Sequence, residues 1–156
     1  MTPDVTAGHT EMLLSLTRLT AHWTSLDYQR RVSDACGVTL DTAAVRAVYV
    51  LGIRGGSARP SVLAEELNLS RPSTSKLLAR LSDAGLVERT RDEDDGRSTR
   101  IALGERGRAA FERLFDAGVV MIAQATADWD PADARALSEL LPRFVAGLLQ
   151  NPTPNH

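Results

Sequence analysis

Cysteine occurs once in this chain of 156 residues, at Cys36, so no internal disulfide framework holds it together. Apolar runs are short: none approaches the roughly 20 residues that a membrane-spanning helix needs, so no membrane partner is expected. The N-terminal MTPDVTAGHT lacks the basic-then-apolar layout of a signal peptide, and the expectation is a cytoplasmic chain. The three histidines, His9, His22 and His156, are scattered. With a single thiol beside them they form no zinc-binding set, and neither a metal nor a cofactor is expected. The sequence also lacks a nucleophile–base–orienter set, a phosphate loop and paired carboxylates at a usable spacing, which excludes the common enzyme classes.

A large basic excess is missing too. The formal net charge is −2, which argues against a protein that coats nucleic acid through charge alone. The charge is unevenly placed. Residues 1–53 carry four basic and five acidic groups, residues 54–108 eleven and nine, and residues 109–156 three and six. Only the middle segment is net positive, so local placement has to do the work of attracting a polyanion.

That middle segment contains the most informative stretch, Ser61 to Leu103. Val62, Leu63 and Leu67 supply the apolar face of a short helix, and Asn68-Leu69-Ser70 interrupts it before a second periodic run. The layout is helix-turn-helix. Ser70 suits the N-cap of a second helix starting near Arg71, and Pro72 in its first turn needs no donor. Thr74, Leu77, Leu78 and Leu81 share the inward side of that helix. The outward side carries Ser73, Lys76 and Arg80, flanked by Arg71, Pro72, Ser75 and Ala79. Between Glu66 and Asp83 lie sixteen residues with three cations and no acid. Such a face suits the major groove, with cations for phosphates and short polar groups for base edges. Gly85 is the expected left-handed stop. Leu86–Thr90 and Thr99–Leu103 then read as a hairpin whose tip, RDEDDGRS, contains the turn signal Asp95-Gly96. A strand ribbon directly after a recognition helix is a wing.

This order, helix-turn-helix, GLVER, then DDGRSTRIALGERG, resembles the MarR (multiple antibiotic resistance regulator) family. The wing of that family carries an Asp-x-Arg, matched by Asp95-Gly96-Arg97, and then a Leu-Thr, of which Leu103 is matched. Gly104 stands where that family usually has threonine, a departure that bears on the cap of the next helix. The resemblance implies that Arg97 reaches into the minor groove and that Asp95 orients it. The neighbouring Asp92, Glu93 and Asp94 would be repelled by phosphate.

Outside this stretch, Met12, Leu16, Leu19, Trp23 and Leu26 repeat at helical spacing, which predicts one helix from Glu11 to about Cys36 behind a frayed start. Asp41 or Thr39 can cap a helix bearing Ala44, Val45, Val48 and Leu51, ended by Arg54-Gly55-Gly56-Ser57. Glu105 to about Ala127 is helical, and Asp130-Pro131 opens a last helix with Leu137, Leu141, Phe144 and Leu148 on one seam. The expected fold class is therefore mainly α with a small β-wing. A winged helix-turn-helix at 41–104 is joined to a helical dimerisation region at 1–40 and 105–150, and 151–156 form a frayed tail. The long apolar seams at both ends predict a homodimer, and the resemblance implies the same. A two-fold dimer places two recognition helices about 34 Å apart, so the expected partner is double-stranded DNA with a palindromic operator.

The resemblance further implies a repressor released by a small aromatic or phenolic effector. Trp23, Arg46 and Tyr49 are the candidates for its pocket, as an aromatic wall and a cation, although each also has a packing role open to it. Cys36 reads as a small residue at a helix end or, alternatively, as the thiol of a redox-responsive regulator. In the peroxide-sensing branch of the family the cysteine stands early in the first helix, whereas Cys36 is late. The competing class is a winged-helix dimer acting as a protein-interaction module, suggested by the acidic wing tip.

Overall fold

Polar side chains and left-handed residues decide where the helices of this chain start and stop. The computed structural model of the chain describes residues 3–35, 37, 40–91 and 99–150. In order they form α1 (Pro3–Trp23), α2 (Leu26–Ala35), α3 (Thr42–Ile53), β1 (Ser57–Ala58), α4 (Pro60–Leu67), α5 (Arg71–Asp83), β2 (Val87–Arg91), β3 (Thr99–Leu103), α6 (Glu105–Ala125) and α7 (Pro131–Gln150). They divide into two compact units, Met1–Ala117 and Gly118–His156. Among the described residues, no helix is long and apolar enough to cross a membrane.

The first unit holds the core. Leu51, Leu63, Leu81, Ile101, Leu103 and Val48 are its largest fully buried side chains, and they come from α3, α4, α5 and β3. Two helices thus pack over a third and over one face of a small sheet. In that sheet β3 is central, antiparallel to β1 and to β2, in the order β1-β3-β2. Ile101 and Leu103 point inward from β3, as the alternation predicts.

The structure departs from the sequence expectation at three places. The single helix expected from Glu11 to Cys36 is two, α1 and α2, separated at Thr24-Ser25. The cause is polar. Thr24 Oγ1 donates to the Thr20 carbonyl (2.8 Å) and Ser25 Oγ to that of His22 (2.8 Å), while Ser25 Oγ accepts from Tyr28 N (3.3 Å) and so caps the new helix. The apolar spacing runs through the break without registering it. At the N-terminus the expected frayed start is instead helical from Pro3, a residue whose missing donor costs nothing in a first turn. Finally, the expected two-stranded hairpin has a third strand, β1, too short for any periodicity to show. Arg100 secures it, donating from Nη2 to the Ser57 carbonyl (3.3 Å) and hydroxyl (3.1 Å).

Glycines fix the corner between α5 and α6. Gly85 takes φ +69°, with Leu86 N donating to the Leu81 carbonyl and Gly85 N to that of Ser82, both at 2.9 Å. This is a Schellman stop. Gly104 N then donates to the Leu86 carbonyl (2.9 Å), and a Cβ at position 104 would stand 3.0 Å from the Gly85 carbonyl oxygen. A side chain at this position would be in close contact with the corner between α5 and β2. At this end of α6 the first helical bond runs from Arg108 N to the Gly104 carbonyl (2.9 Å), and Arg108 Nη1 donates to the Leu103 carbonyl (2.7 Å).

In the second unit α7 has no buried residue, and Leu137, Leu140, Leu141, Val145, Leu148 and Leu149 are all exposed.

Candidate nucleic-acid interface

The outward face of α5 is built from its two ends. At the start, Asn68 adopts the left-handed conformation (φ 53°, ψ 48°) as the C-cap of α4, and Leu69 N donates to the Ala64 carbonyl (2.9 Å). The chain turns sharply enough for Ser70 to cap α5: its hydroxyl accepts from Ser73 N (3.3 Å) and donates to Ser73 Oγ (2.9 Å). Thr74 turns inward and donates to the Ser70 carbonyl (3.0 Å), so this buried hydroxyl is satisfied. Leu77, Leu78 and Leu81 bury the same side. With that side fixed, Arg71, Pro72, Ser73, Ser75, Lys76, Ala79 and Arg80 are all exposed on the other.

Arg71 faces a shallow groove of about 260 Å³ between α4, α5 and β2. Pro60 and Ser61 of α4, Ser75 of α5 and Arg89 of β2 line it together with Arg71. Arg89 was not among the sequence candidates. Strand alternation sets Arg89 and Arg91 on one face of β2, but only the register of β2 on β3, with Arg89 opposite Ile101, turns Arg89 toward α5.

Arg80 is not a free cation. Its Nη1 donates to Asp41 Oδ2 (2.5 Å), and the other oxygen of that carboxylate accepts from Ala44 N (2.9 Å) as the N-cap of α3. The face that is free of acids in sequence therefore meets one in space. The Arg80 guanidinium, then the Ala44 amide, hold the Asp41 carboxyl below its ordinary value of 3.8, and the carboxylate raises Arg80 in turn. Among the described residues, Arg71 and Lys76 have no such ion pair.

Of the effector-pocket candidates, Arg46 reaches from α3 to the Leu67 carbonyl at the end of α4 (3.4 Å). Tyr49 packs edge-to-face on Phe111 of α6, with centroids 5.7 Å apart, and is partly exposed. Trp23, at the end of α1, is also partly exposed, and its carbonyl accepts from Gln29 Nε2 (3.0 Å). Arg97, Asp95, the acidic residues 92–94 and Cys36 lie outside the described residues.

A buried three-helix core, a second helix with a cationic outer face and a strand pair directly after it define a winged helix-turn-helix. Residues 37–98 match the MarR family, and over that segment the chain is similar to it. An uncharacterized HTH-type transcriptional regulator of Bacillus subtilis, YfiV, is 30% identical over 84 residues, 54% of this chain and 52% of that protein. The chain thus spans about half the length of the curated relatives it matches. Among solved structures, a MarR family protein from Bacillus stearothermophilus superposes with a TM-score of 0.74 at 19% identity, covering 96% of this chain and 99% of the other. NadR in complex with 4-hydroxyphenylacetate gives 0.62 at 21% identity, covering 84% and 91%. At such identities these likenesses show the fold.

Proposed function

We propose that this chain is a homodimeric, sequence-specific DNA-binding transcriptional regulator, a repressor released by a small effector. The observation that carries the reading is the outer face of α5. Arg71, Ser73, Ser75 and Lys76 stand exposed on a helix whose opposite side is locked into the core, the arrangement a major-groove reader needs. Arg89, which lines the same groove as Arg71, supplies a second cation suited to a phosphate flanking the bases read by α5. Arg97, oriented by Asp95, is the proposed minor-groove contact of the wing. A protein with this partner works where the DNA is, in the cytoplasm.

Homodimerisation rests on the apolar residues left exposed on α1 (Met12, Leu13, Leu14, Leu19) and all along α7. Covering both in a second copy removes enough apolar surface for a permanent interface. The helical regions 1–40 and 105–150 are then the dimerisation region and 41–104 the reading head. A two-fold axis sets the heads about one turn of DNA apart, so the operator is an imperfect palindrome. The effector class is a small aromatic or phenolic acid. NadR, of the same fold, was solved with such a ligand, and Trp23, Arg46 and Tyr49 offer partly exposed rings and a cation. Such a ligand acts by binding more tightly to a dimer whose heads no longer match the operator spacing.

Selection of bound sequences from a random duplex pool, at two salt concentrations, tests the core of this reading. The expected result is an enriched inverted repeat with half-sites about one helical turn apart. No enrichment at either salt refutes sequence-specific binding and moves the winged helix to a protein partner.

A further inference from the structure

The pair formed by Arg80 and Asp41 stands at the far end of the DNA-facing side of α5, one turn beyond Lys76. Both side chains are open to solvent, at 59% and 49% of their full exposure, yet the carboxylate is not free to wander. One of its oxygens is committed to the Ala44 amide at the N-cap of α3 and the other to the guanidinium. A carboxylate already ordered by a helix cap loses no rotamer freedom in holding an arginine, which removes the main cost that makes ordinary surface pairs weak. Bidding for this arginine, a DNA phosphate meets an acceptor that is already in place. It also meets the negative charge of Asp41 itself.

Resting on the DNA-binding reading above, we propose that Asp41 is a specificity-determining residue: it holds Arg80 as a neutral, oriented pair, so that this end of α5 offers hydrogen-bond donors to the operator without acting as a phosphate clamp. Non-specific binding is almost wholly a matter of phosphate neutralisation and counterion release. A cation cancelled in place adds little to it. The N–H groups of Arg80 that Asp41 leaves unbound still form directional contacts, which only a matching site rewards. The pair thereby widens the gap between operator and bulk DNA. Among the described residues, Arg71 and Lys76 remain as the cations of α5 without an ion pair.

The test compares salt titrations of purified full-length protein on the selected operator and on a scrambled duplex. Asp41→Asn removes the charge but keeps an N-cap of equal quality, so α3 stays capped. Asp41→Ser serves the same purpose should the first variant lose its fold by circular dichroism. For Asp41→Asn, the slope of log affinity against log salt on scrambled DNA is expected to steepen by about 1.8 per dimer, one phosphate per protomer. Scrambled DNA is bound more tightly, and its ratio to the operator shrinks. The double variant Asp41→Asn/Arg80→Ala removes a neutral pair, so its slope returns to that of the wild type while operator affinity falls. An unchanged slope for Asp41→Asn, with a double variant shallower than wild type by about 1.8, overturns the proposal and makes Arg80 a phosphate clamp with Asp41 a bystander. Wild-type protein with no salt-dependent DNA affinity is a different failure, since it removes the DNA-binding reading as well.

Discussion

Gly107→Ala sets two effects of opposite sign against each other, and the structure decides between them. Gly107 lies in the first turn of α6, where alanine is the better helix former by about 1 kcal/mol. A Cβ built there, however, meets the Leu86 carbonyl oxygen at 2.0 Å and its carbon at 3.0 Å, with Leu103 Cδ2 at 3.1 Å. The obstacle is backbone, and no rotamer change clears it. To bring the oxygen to a normal contact distance, α6 and the α5–β2 corner must separate by about 1 Å. That separation strains the bond from Gly104 N to the Leu86 carbonyl (2.9 Å) and the one from Arg106 Nη1 to the Ala84 carbonyl (2.7 Å), which together fasten α6 to the end of α5. Overpacking of this kind costs about 1–3 kcal/mol, and a weakened hydrogen bond adds about 1. The clash therefore outweighs the helix-propensity gain, and a net destabilisation of about 2 kcal/mol is expected. For a chain of this size that lowers Tm by about 4–8 °C. Thermal melts by circular dichroism at one fixed protein concentration measure it. A Tm that rises in the variant refutes the close approach and with it the rigid joint between recognition helix and α6.

Ser70→Ala removes the cap of α5 and is expected to cost about 0.5–2 kcal/mol, whereas Ser70→Asn stays within a few tenths of wild type; urea melts compare the two. Lys76→Ala, which removes a cation that has no ion pair among the described residues, is expected to make the salt slope on scrambled DNA shallower by about 1.8 per dimer, and an unchanged slope takes Lys76 off the DNA. Because Arg80 holds the folded-state pKa of Asp41 below its ordinary value of 3.8, the stabilisation from this pair is complete above that pH and is lost as the pH falls through the lowered value. Melts between pH 5 and pH 2 should therefore show wild type losing its advantage over Asp41→Asn on acidification, and a constant difference contradicts the pairing. At Gly52 an added Cβ meets the Phe111 ring at 2.1 Å. Gly52→Ala is therefore expected to push that ring off Tyr49, read as a change in the near-ultraviolet circular dichroism, with a lower Tm.

How far the sequence alone reaches depends on how local the deciding interaction is. The turn, the Ser70 cap, the inward leucines of α5 and the Gly85 stop all rest on residues within six positions of one another, and all are legible from spacing and side-chain chemistry. The break between α1 and α2 is equally local, yet it lies in hydroxyl-to-carbonyl bonds that an apolar repeat passes over. β1 shows the opposite failure. Two residues have no periodicity, and Ser57-Ala58 becomes a strand only because β3, more than forty positions later, has an edge to offer. Arg89 needs the same long-range information: alternation gives it a face, and the register on β3 says which neighbour that face meets.

The Arg80–Asp41 pair carries this furthest. Read in order, Asp41 is a helix cap and Arg80 a cation in an acid-free run, and both readings are sound as far as the chain's own neighbours go. Thirty-nine positions separate them. α3 and α5 bury Ala44, Val48, Leu77 and Leu81 in one common core, and the cap of one helix meets the outer face of the other, so the scaffold determines the charge that this surface presents. A count of cations along a recognition helix therefore overstates its hold on phosphate wherever the scaffold returns a carboxylate to the same face. Among the described residues, α5 presents two cations without an ion pair where its sequence counts three.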